Sequence, residues 1–179
     1  MSNKSQVLLL EVSVVNKGDR EFHTYRGYQK IRQEDLQLTP SMEDYLEMIY
    51  RTYQKKGYVR ITQLAEQLNV RAPSATKTVQ KLSKMGILDY EKYGIIELTE
   101  KGRKIGHFLL KRHRIIEAFL KNLGVKNDIL NQTEMIEHHL SIDTVENIDI
   151  LNKFFADYPE ICKKFFQYKS CYKKGSNEI

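Results

Sequence analysis

The sequence of 179 residues contains little cysteine and no long hydrophobic run. Two cysteines, Cys162 and Cys171, are too few for a disulfide scaffold or for a Cys-rich zinc site. No segment approaches the roughly 18 consecutive apolar residues of a membrane-spanning helix. The apolar run at residues 7–10 is too short for the core of a signal peptide. We therefore expect a cytoplasmic protein that keeps both thiols reduced and has no membrane partner.

Positive charge exceeds negative charge by a small margin, and its distribution is more informative than its sum. Lys and Arg number 29 against 23 Asp and Glu, which gives a net charge of +6. Residues 40–115 hold 15 bases and eight acids, whereas residues 116–160 hold three bases and nine acids. A basic block followed by an acidic block indicates two different tasks on one chain.

Capping residues and hydrophobic spacing predict a mainly helical chain after a polar extension at residues 1–38. The predicted elements are a helix from about Thr39 to Gly57, a short helix at 61–70 capped by Thr62, a helix at 73–85, two strands at 87–93 and 94–98, and a helix from Thr99 to about 123. Further helices are predicted at 132–140, 143–155 and 161–168. Gly102 and Gly106 are expected to allow close packing at the start of the long helix.

The order helix, tight turn, helix and two-stranded hairpin is typical of a winged helix-turn-helix. At 100° per residue, Val79 and Leu82 lie within about 40° of Ala75, so these three side chains form one apolar stripe. The opposite face carries three lysines and no acid, which suits phosphate and base contacts in a major groove. Its predicted DNA-binding residues, with two more at the hairpin tip, are Pro73, Ser74, Thr76, Lys77, Gln80, Lys81, Lys84, Lys92 and Tyr93.

A basic helix face can also be merely solvated, and for an isolated helix that is the better explanation. Here the preceding helix, the following hairpin and the basic block around them favour DNA binding.

A second cluster has the spacing of metal ligands. Glu134, Glu137 and His138 stand at i, i+3 and i+4, so a helix would place them on one face. Asp44 and Glu47 repeat the i, i+3 carboxylate pair on the first helix, and His113 lies on the helix between. Oxygen and nitrogen donors without a thiolate favour Mn²⁺ or Fe²⁺ over Cu(I) or a thiolate zinc site.

Each part of this cluster has a plainer interpretation. Acidic pairs at i, i+3 are usually solvated, and a single histidine such as His113 more often packs or faces solvent. His139 would point about 100° away from the cluster on a helix, and we leave it out. His23 and His107 have no carboxylates patterned around them, and we expect them to be structural or exposed.

Five stretches together resemble the diphtheria-toxin-repressor (DtxR) family of metal-dependent repressors, over about residues 38–160. They are TPSMEDYLE at 39–47, SATKTVQKL at 74–82, YEKY at 90–93, Arg112-His113, and IEHHLS at 136–141. The resemblance implies a winged helix-turn-helix DNA-binding domain followed by an all-helical dimerisation domain. With the flanking segments, the predicted division is 1–38 extension, 39–106 DNA-binding domain, 107–160 metal-binding and dimerisation domain, and 161–179 basic tail.

The resemblance also implies a ligand set and a metal. The family's ligands match Asp44, Glu47, His113, Glu134, Glu137 and His138. In the manganese-type branch such ligands hold two ions per subunit with bridging carboxylates. The iron-type branch places Met and Cys where this chain has Asp44 and Glu134, so the resemblance favours Mn²⁺, with Fe²⁺ possible.

The sequence therefore predicts a homodimeric, Mn²⁺-activated transcriptional repressor that binds double-stranded operator DNA and controls manganese homeostasis genes. An Fe²⁺-responsive repressor of the same family is the first alternative. A dimetal carboxylate hydrolase is the second, because such ligands can also activate water. We expect no enzyme, since the hydrolase would leave the basic helix unexplained.

Overall fold

The structure is a computed structural model that describes residues 38–90 and 94–175. The predicted extension up to residue 37 and the predicted wing-tip residues Lys92 and Tyr93 lie outside these ranges. Within them the elements are α1 (Pro40–Lys56), β1 (Val59–Arg60), α2 (Ile61–Gln67), α3 (Ala72–Lys84), β2 (Leu88–Tyr90), β3 (Ile95–Leu98), α4 (Glu100–Asn122), α5 (Ile129–Glu137), α6 (Ile142–Asp157) and α7 (Pro159–Gly175). The prediction of a mainly helical fold is confirmed.

Helix α1 begins and ends where the sequence predicts. The Thr39 hydroxyl accepts a hydrogen bond from the Met42 amide at 3.4 Å, and Pro40 occupies the first turn, where no amide donor is needed. Gly57 adopts a φ of 77° and its amide donates to the Tyr53 carbonyl at 2.7 Å. A left-handed residue of this kind ends the helix, since glycine adopts that conformation without steric cost.

The two helices that follow form the helix-turn-helix. In α3 the side chains of Ala75, Val79 and Leu82 are fully buried, which confirms the predicted apolar stripe. The prediction for α2 is wrong in one respect: the residue before its first turn is Arg60, without a side-chain cap, so Thr62 does not begin the helix. The reason is β1, which continues the chain in extended form up to Arg60.

The predicted hairpin is present as part of a three-stranded antiparallel sheet. Strands β2 and β3 pair with Leu88 opposite Leu98, as expected for a wing. On its other side β3 pairs with β1, with Val59 opposite Ile96. A two-residue strand has no alternation pattern that could predict it.

Helix α4 begins at a side-chain cap and packs closely through two glycines. The Thr99 hydroxyl accepts a hydrogen bond from the Gly102 amide at 3.0 Å. A Cβ placed on Gly102 would lie 2.0 Å from the Ile87 carbonyl oxygen, and one on Gly106 would lie 2.7 Å from Tyr50 Cβ. The predicted close packing is therefore confirmed, and it brings α4 against α1.

The last three helices differ from the sequence-based bounds. Helix α5 spans Ile129–Glu137, about three residues earlier than predicted, because Asp128 turns the chain with a φ of 55°. His138 therefore stands just beyond the helix, with right-handed helical dihedral angles. Helix α7 is much longer than the predicted 161–168, and the predicted domain boundary after residue 160 falls inside it.

One hydrophobic core runs through the described part of the chain. Leu46 and Ile49 of α1, Leu109 and Ile116 of α4, and Val145 of α6 belong to the same buried cluster. None of the helices in the ranges 38–90 and 94–175 combines the length and apolar character needed to cross a membrane.

Candidate metal centre and DNA-binding surface

The six predicted metal ligands come from three helices that pack against one another. Asp44 and Glu47 lie in the first turns of α1, and His113 lies in the middle of α4. The remaining three lie at the end of α5: Glu134, Glu137 and, at the residue that caps the helix, His138. The structure brings all six side chains together.

The donors form two groups that share one carboxylate. Asp44, Glu134, Glu137 and His138 each offer one atom, and these atoms lie within 4.8 Å of one another. Atoms of Glu47, His113 and Glu137 form the second group under the same limit. Glu137 belongs to both groups: its Oε2 lies 3.1 Å from His113 Nδ1, and its Oε1 lies 3.9 Å from His138 Nε2.

The second group is almost completely buried and its charges are crowded. Glu137 is 1% exposed, His113 3% and Glu47 6%. Burial, and next the negative charge of Glu137, raise the pKa of Glu47. The same two causes raise the pKa of Glu134 to about 7. A cation placed among these carboxylates would oppose both upward pKa shifts.

Both histidines of the donor set lie within hydrogen-bonding distance of its carboxylates. His138 Nε2 lies 2.8 Å from Asp44 Oδ1, and hydrogen bonds with Asp44 and Glu43 raise the pKa of His138 to about 10. His113 Nδ1 lies 3.1 Å from Glu137 Oε2. Burial lowers the pKa of His113, but the hydrogen bond to Glu137 and the charge of Glu47 outweigh it, so the net shift is upward.

The donor set fits a divalent metal ion. All its atoms are oxygen or nitrogen, and Cys162 and Cys171 lie apart from it on α7. Asp44 Oδ1 is buried and lies 2.8 Å from His138 Nε2. A buried carboxylate oxygen beside a ring nitrogen is suited to coordinate a cation together with it.

Three charged residues beside the donors were missed by the sequence analysis. Glu43 and Arg112 are both buried, and Arg112 Nη2 donates to Glu43 Oε2 at 2.8 Å. They are 69 residues apart in the chain, so no local spacing pairs them. Arg51 also reaches the centre through an ion pair with Glu47.

Two of the histidines that the sequence analysis set aside, His107 and His139, lie outside both donor groups. His107 is exposed, with Nδ1 3.2 Å from the Tyr50 hydroxyl. His139 is exposed, with Nδ1 3.1 Å from the Met135 carbonyl. His23 lies outside the described residues.

The predicted DNA-binding face of α3 is exposed to solvent. Its exposed members are Pro73, Ser74, Lys77, Gln80, Lys81 and Lys84. Thr76 is half-buried, and its hydroxyl donates to the Ala72 carbonyl at 2.9 Å. The face carries three lysines without an acidic neighbour on the same helix, which suits a polyanionic partner.

A direct contact joins the ligand-bearing helix to the helix-turn-helix. The Thr52 hydroxyl of α1 donates to Gln67 Oε1 of α2 at 3.0 Å. Thr52 is buried and lies little more than one turn beyond Glu47 on the same helix. A change in the position of α1 therefore reaches α2 through a polar contact as well as through the core.

A winged helix-turn-helix joined to helices that carry a metal-ligand cluster defines a class, the metal-responsive DNA-binding regulators. Two family profiles agree with this class. The "Iron dependent repressor, N-terminal DNA binding domain" matches residues 37–96, and the "Iron dependent repressor, metal binding and dimerisation domain" matches residues 99–165.

Individual relatives narrow the assignment. The HTH-type transcriptional regulator MntR of Bacillus velezensis is 48% identical over 140 residues, which are 78% of this chain and 96% of that protein. The regulator of the same name from Bacillus subtilis is 48% identical over 120 residues, 66% of this chain and 84% of that one. The chain belongs to the DtxR family of metal-dependent repressors, in its MntR-type branch, whose members are transcriptional regulators and not enzymes.

Solved structures of similar fold agree with this family assignment. A structure of the manganese regulator SloR is 34% identical with a TM-score of 0.57, and the match covers 65% of this chain and 55% of that one. A manganese-dependent transcriptional repressor in complex with manganese is 32% identical with a TM-score of 0.57, over 63% of this chain and 53% of that one. The chain thus spans about half the length of these two proteins.

Proposed function

We propose that this chain is a Mn²⁺-activated transcriptional repressor that binds operator DNA as a homodimer and controls manganese homeostasis genes. Residues 39–106 form its DNA-binding domain, and residues 107–160 its metal-binding and dimerisation domain. The observation that supports this proposal is that six side chains with oxygen or nitrogen donors form two groups that share Glu137. One of the helices that carry these donors, α1, contacts the helix-turn-helix.

Two ions per subunit would be held by these donors. Asp44, Glu134, Glu137 and His138 would hold one ion, and Glu47, His113 and Glu137 the other. When bound, each divalent cation would supply positive charge among these crowded carboxylates. The donor side chains and the bound ions would then connect α1, α4 and α5.

This connection explains activation. A bound cation would join Asp44 and Glu47 of α1 to the donors on α4 and α5, and α1 carries the Thr52 contact to α2. Fixing the position of α1 would set the spacing and angle of the two α3 helices in a dimer. Alternatively, it would lower the conformational entropy that the protein loses on binding DNA. Thermodynamic linkage then requires operator DNA to raise the affinity for metal by the same factor by which metal raises the affinity for DNA.

An exposed apolar strip supports the homodimer. On α6 Ile150 is 64% exposed and Phe154 39%, and Tyr158, just after the helix, is 48% exposed. The rings of Phe154 and Tyr158 lie 4.9 Å apart and present one surface. Contiguous exposed apolar surface of this kind is typical of an interface.

The test is a DNA selection with the full chain and a pool of random-sequence duplexes, with Mn²⁺ or with chelator. We expect a palindromic sequence to be enriched only with Mn²⁺, followed by retardation of that duplex in a mobility-shift titration. Equal enrichment with chelator would contradict the proposal.

Fe²⁺ under anaerobic conditions and Zn²⁺ form the further arms of the same titration. A lower activating concentration for Fe²⁺ than for Mn²⁺ would favour the Fe²⁺-responsive alternative. The hydrolase alternative leaves the basic face of α3 without a role and disagrees with a family of transcriptional regulators.

A further inference from the structure

One ring nitrogen of His138 faces the metal donors and the other faces a buried ion pair. Nε2 lies 2.8 Å from Asp44 Oδ1 and 3.9 Å from Glu137 Oε1. On the opposite edge of the ring, Nδ1 lies 2.9 Å from Glu43 Oε2. Glu43 is therefore separated from the donor groups by the width of the imidazole, and neither donor group includes it.

The chemistry of these neighbours indicates that Nδ1 carries a hydrogen. A carboxylate oxygen only accepts, so the 2.9 Å contact requires Nδ1 to carry the hydrogen and donate it to Glu43. Arg112 Nη2 lies 3.3 Å from the same Nδ1, but both atoms are then donors and no hydrogen bond joins them. Arg112 instead donates to Glu43 Oε2 at 2.8 Å.

Arg112 keeps Glu43 available as an acceptor. Both side chains are buried, with 7% of Glu43 and 5% of Arg112 exposed, so an uncompensated Glu43 carboxylate would be costly there. The guanidinium stays charged at every accessible pH, and its positive charge repels a metal cation from this side of the ring. Glu43 and Arg112 together form an acceptor with a fixed position and a fixed charge.

We propose that Glu43, held by Arg112, is a positioning residue that fixes the tautomer and orientation of His138, so that Nε2 is the nitrogen offered to the metal. The proposal rests on the ligand set given above. A ligating histidine whose far nitrogen donates to a carboxylate is oriented and more basic, and loss of that partner typically weakens metal binding about 10- to 100-fold. We expect this range for Glu43→Ala.

The affinity experiment uses the full chain and isothermal titration with Mn²⁺. Glu43→Gln keeps an oxygen acceptor for Nδ1, and we expect about tenfold weaker binding or less. Glu100→Ala is the matched control, because Glu100 is an exposed glutamate paired with Lys104 away from the site, and its affinity should equal that of the wild type. If circular dichroism shows that Glu43→Ala does not fold, the double variant Glu43→Leu, Arg112→Met replaces it, because it leaves no unpaired buried charge.

A spectroscopic measurement separates positioning from general damage. In the ¹⁵N-histidine NMR spectrum of the wild-type protein loaded with diamagnetic Zn²⁺, the Nδ1 resonance of His138 should be that of a protonated nitrogen with a slowly exchanging hydrogen. The Nε2 resonance should shift on loading. In Glu43→Ala or the double variant, the Nδ1 hydrogen should exchange too fast to be seen, whereas Glu43→Gln should retain it.

The outcomes distinguish this proposal from the ligand assignment. If Nε2 does not shift when Zn²⁺ binds the wild type, the assignment of His138 as a ligand is wrong. If Nε2 shifts but neither the Nδ1 hydrogen nor the Mn²⁺ affinity changes when Glu43 is removed, the positioning role is wrong and the ligand set stands.

Discussion

Glu137 Oε2 lies 3.1 Å from His113 Nδ1, and the two side chains are 1% and 3% exposed. This contact connects the end of α5 to the middle of α4 within one donor group, and Glu137 also belongs to the other group. Among the six donor side chains Glu137 alone belongs to both groups, and each of the other five belongs to one.

Replacement of Glu137 should therefore disable both proposed ions. We expect Glu137→Ala to abolish Mn²⁺-dependent retardation of the selected duplex. Glu134→Ala removes a donor from one group, at a side chain that is 42% exposed, and should weaken Mn²⁺ binding without abolishing it. Glu160→Gln, an exposed residue at the start of α7, is the control. An unchanged Mn²⁺ dependence in Glu137→Ala would show that the site is assigned wrongly.

Metal binding should release protons and strengthen as pH rises. The pKa of His138 is raised to about 10 by its hydrogen bonds to Asp44 and Glu43, and that of Glu134 to about 7 by burial and the charge of Glu137. A raised pKa keeps the proton on the metal-free site, and coordination needs it removed from Nε2 and from the carboxylate. Affinity for Mn²⁺ should therefore rise between about pH 6 and pH 8, as Glu134 loses its proton.

Calorimetry in two buffers of different ionisation enthalpy measures this release directly. The apparent enthalpy of Mn²⁺ binding should differ between the buffers at pH 7, and the difference should shrink at pH 8, where Glu134 is already ionised. Buffer-independent heats at both pH values would contradict the prediction. Titration of the Glu134→Gln variant should remove the part of the pH dependence that lies near pH 7.

Lys77 should contribute to DNA affinity through a phosphate contact. The side chain is exposed on the basic face of α3. Lys77→Ala should weaken binding to specific and non-specific duplexes alike, and the slope of log affinity against log salt should become about one unit shallower. Lys163→Ala, an exposed lysine of α7, is the control and should leave the slope unchanged. A loss confined to one DNA sequence would instead indicate base recognition by Lys77.

Gly102 should tolerate no side chain. The Cβ of an alanine there would lie 2.0 Å from the Ile87 carbonyl oxygen, which is backbone and cannot rotate away. We expect Gly102→Ala to lower the free energy of unfolding by about 1–3 kcal/mol, the usual cost of overpacking. Lys104→Ala, at an exposed position of the same helix, should change it by less than about 0.5 kcal/mol. Urea unfolding followed by circular dichroism measures both.

The parts of the fold that sequence predicted well are those with a local physical signal. Thr39 and Gly57 mark the ends of α1, Thr99 marks the start of α4, and the stripe at Ala75 defines the buried side of α3. The errors occur where no local signal exists. Strand β1 is two residues long, and α5 begins after Asp128, a non-glycine residue in the left-handed region.

The candidate site was predictable only in pieces. Spacing groups Asp44 with Glu47, and Glu137 with its neighbours, but it gives no distance between those groups. The family resemblance joined them, and the structure brings the six side chains together. The ion pair of Glu43 with Arg112 followed from neither, because buried charge pairs depend on packing between distant helices.

The shared core has a consequence for modularity. The family profiles divide the chain between residues 96 and 99, yet Tyr50 of α1 packs against Gly106 of α4, and both helices belong to a single buried cluster. A fragment cut at residue 98 would expose the apolar side of α1 to water. We therefore expect the described part of the chain to unfold in one cooperative step, so that the sensor cannot be detached from its DNA-binding half and transplanted.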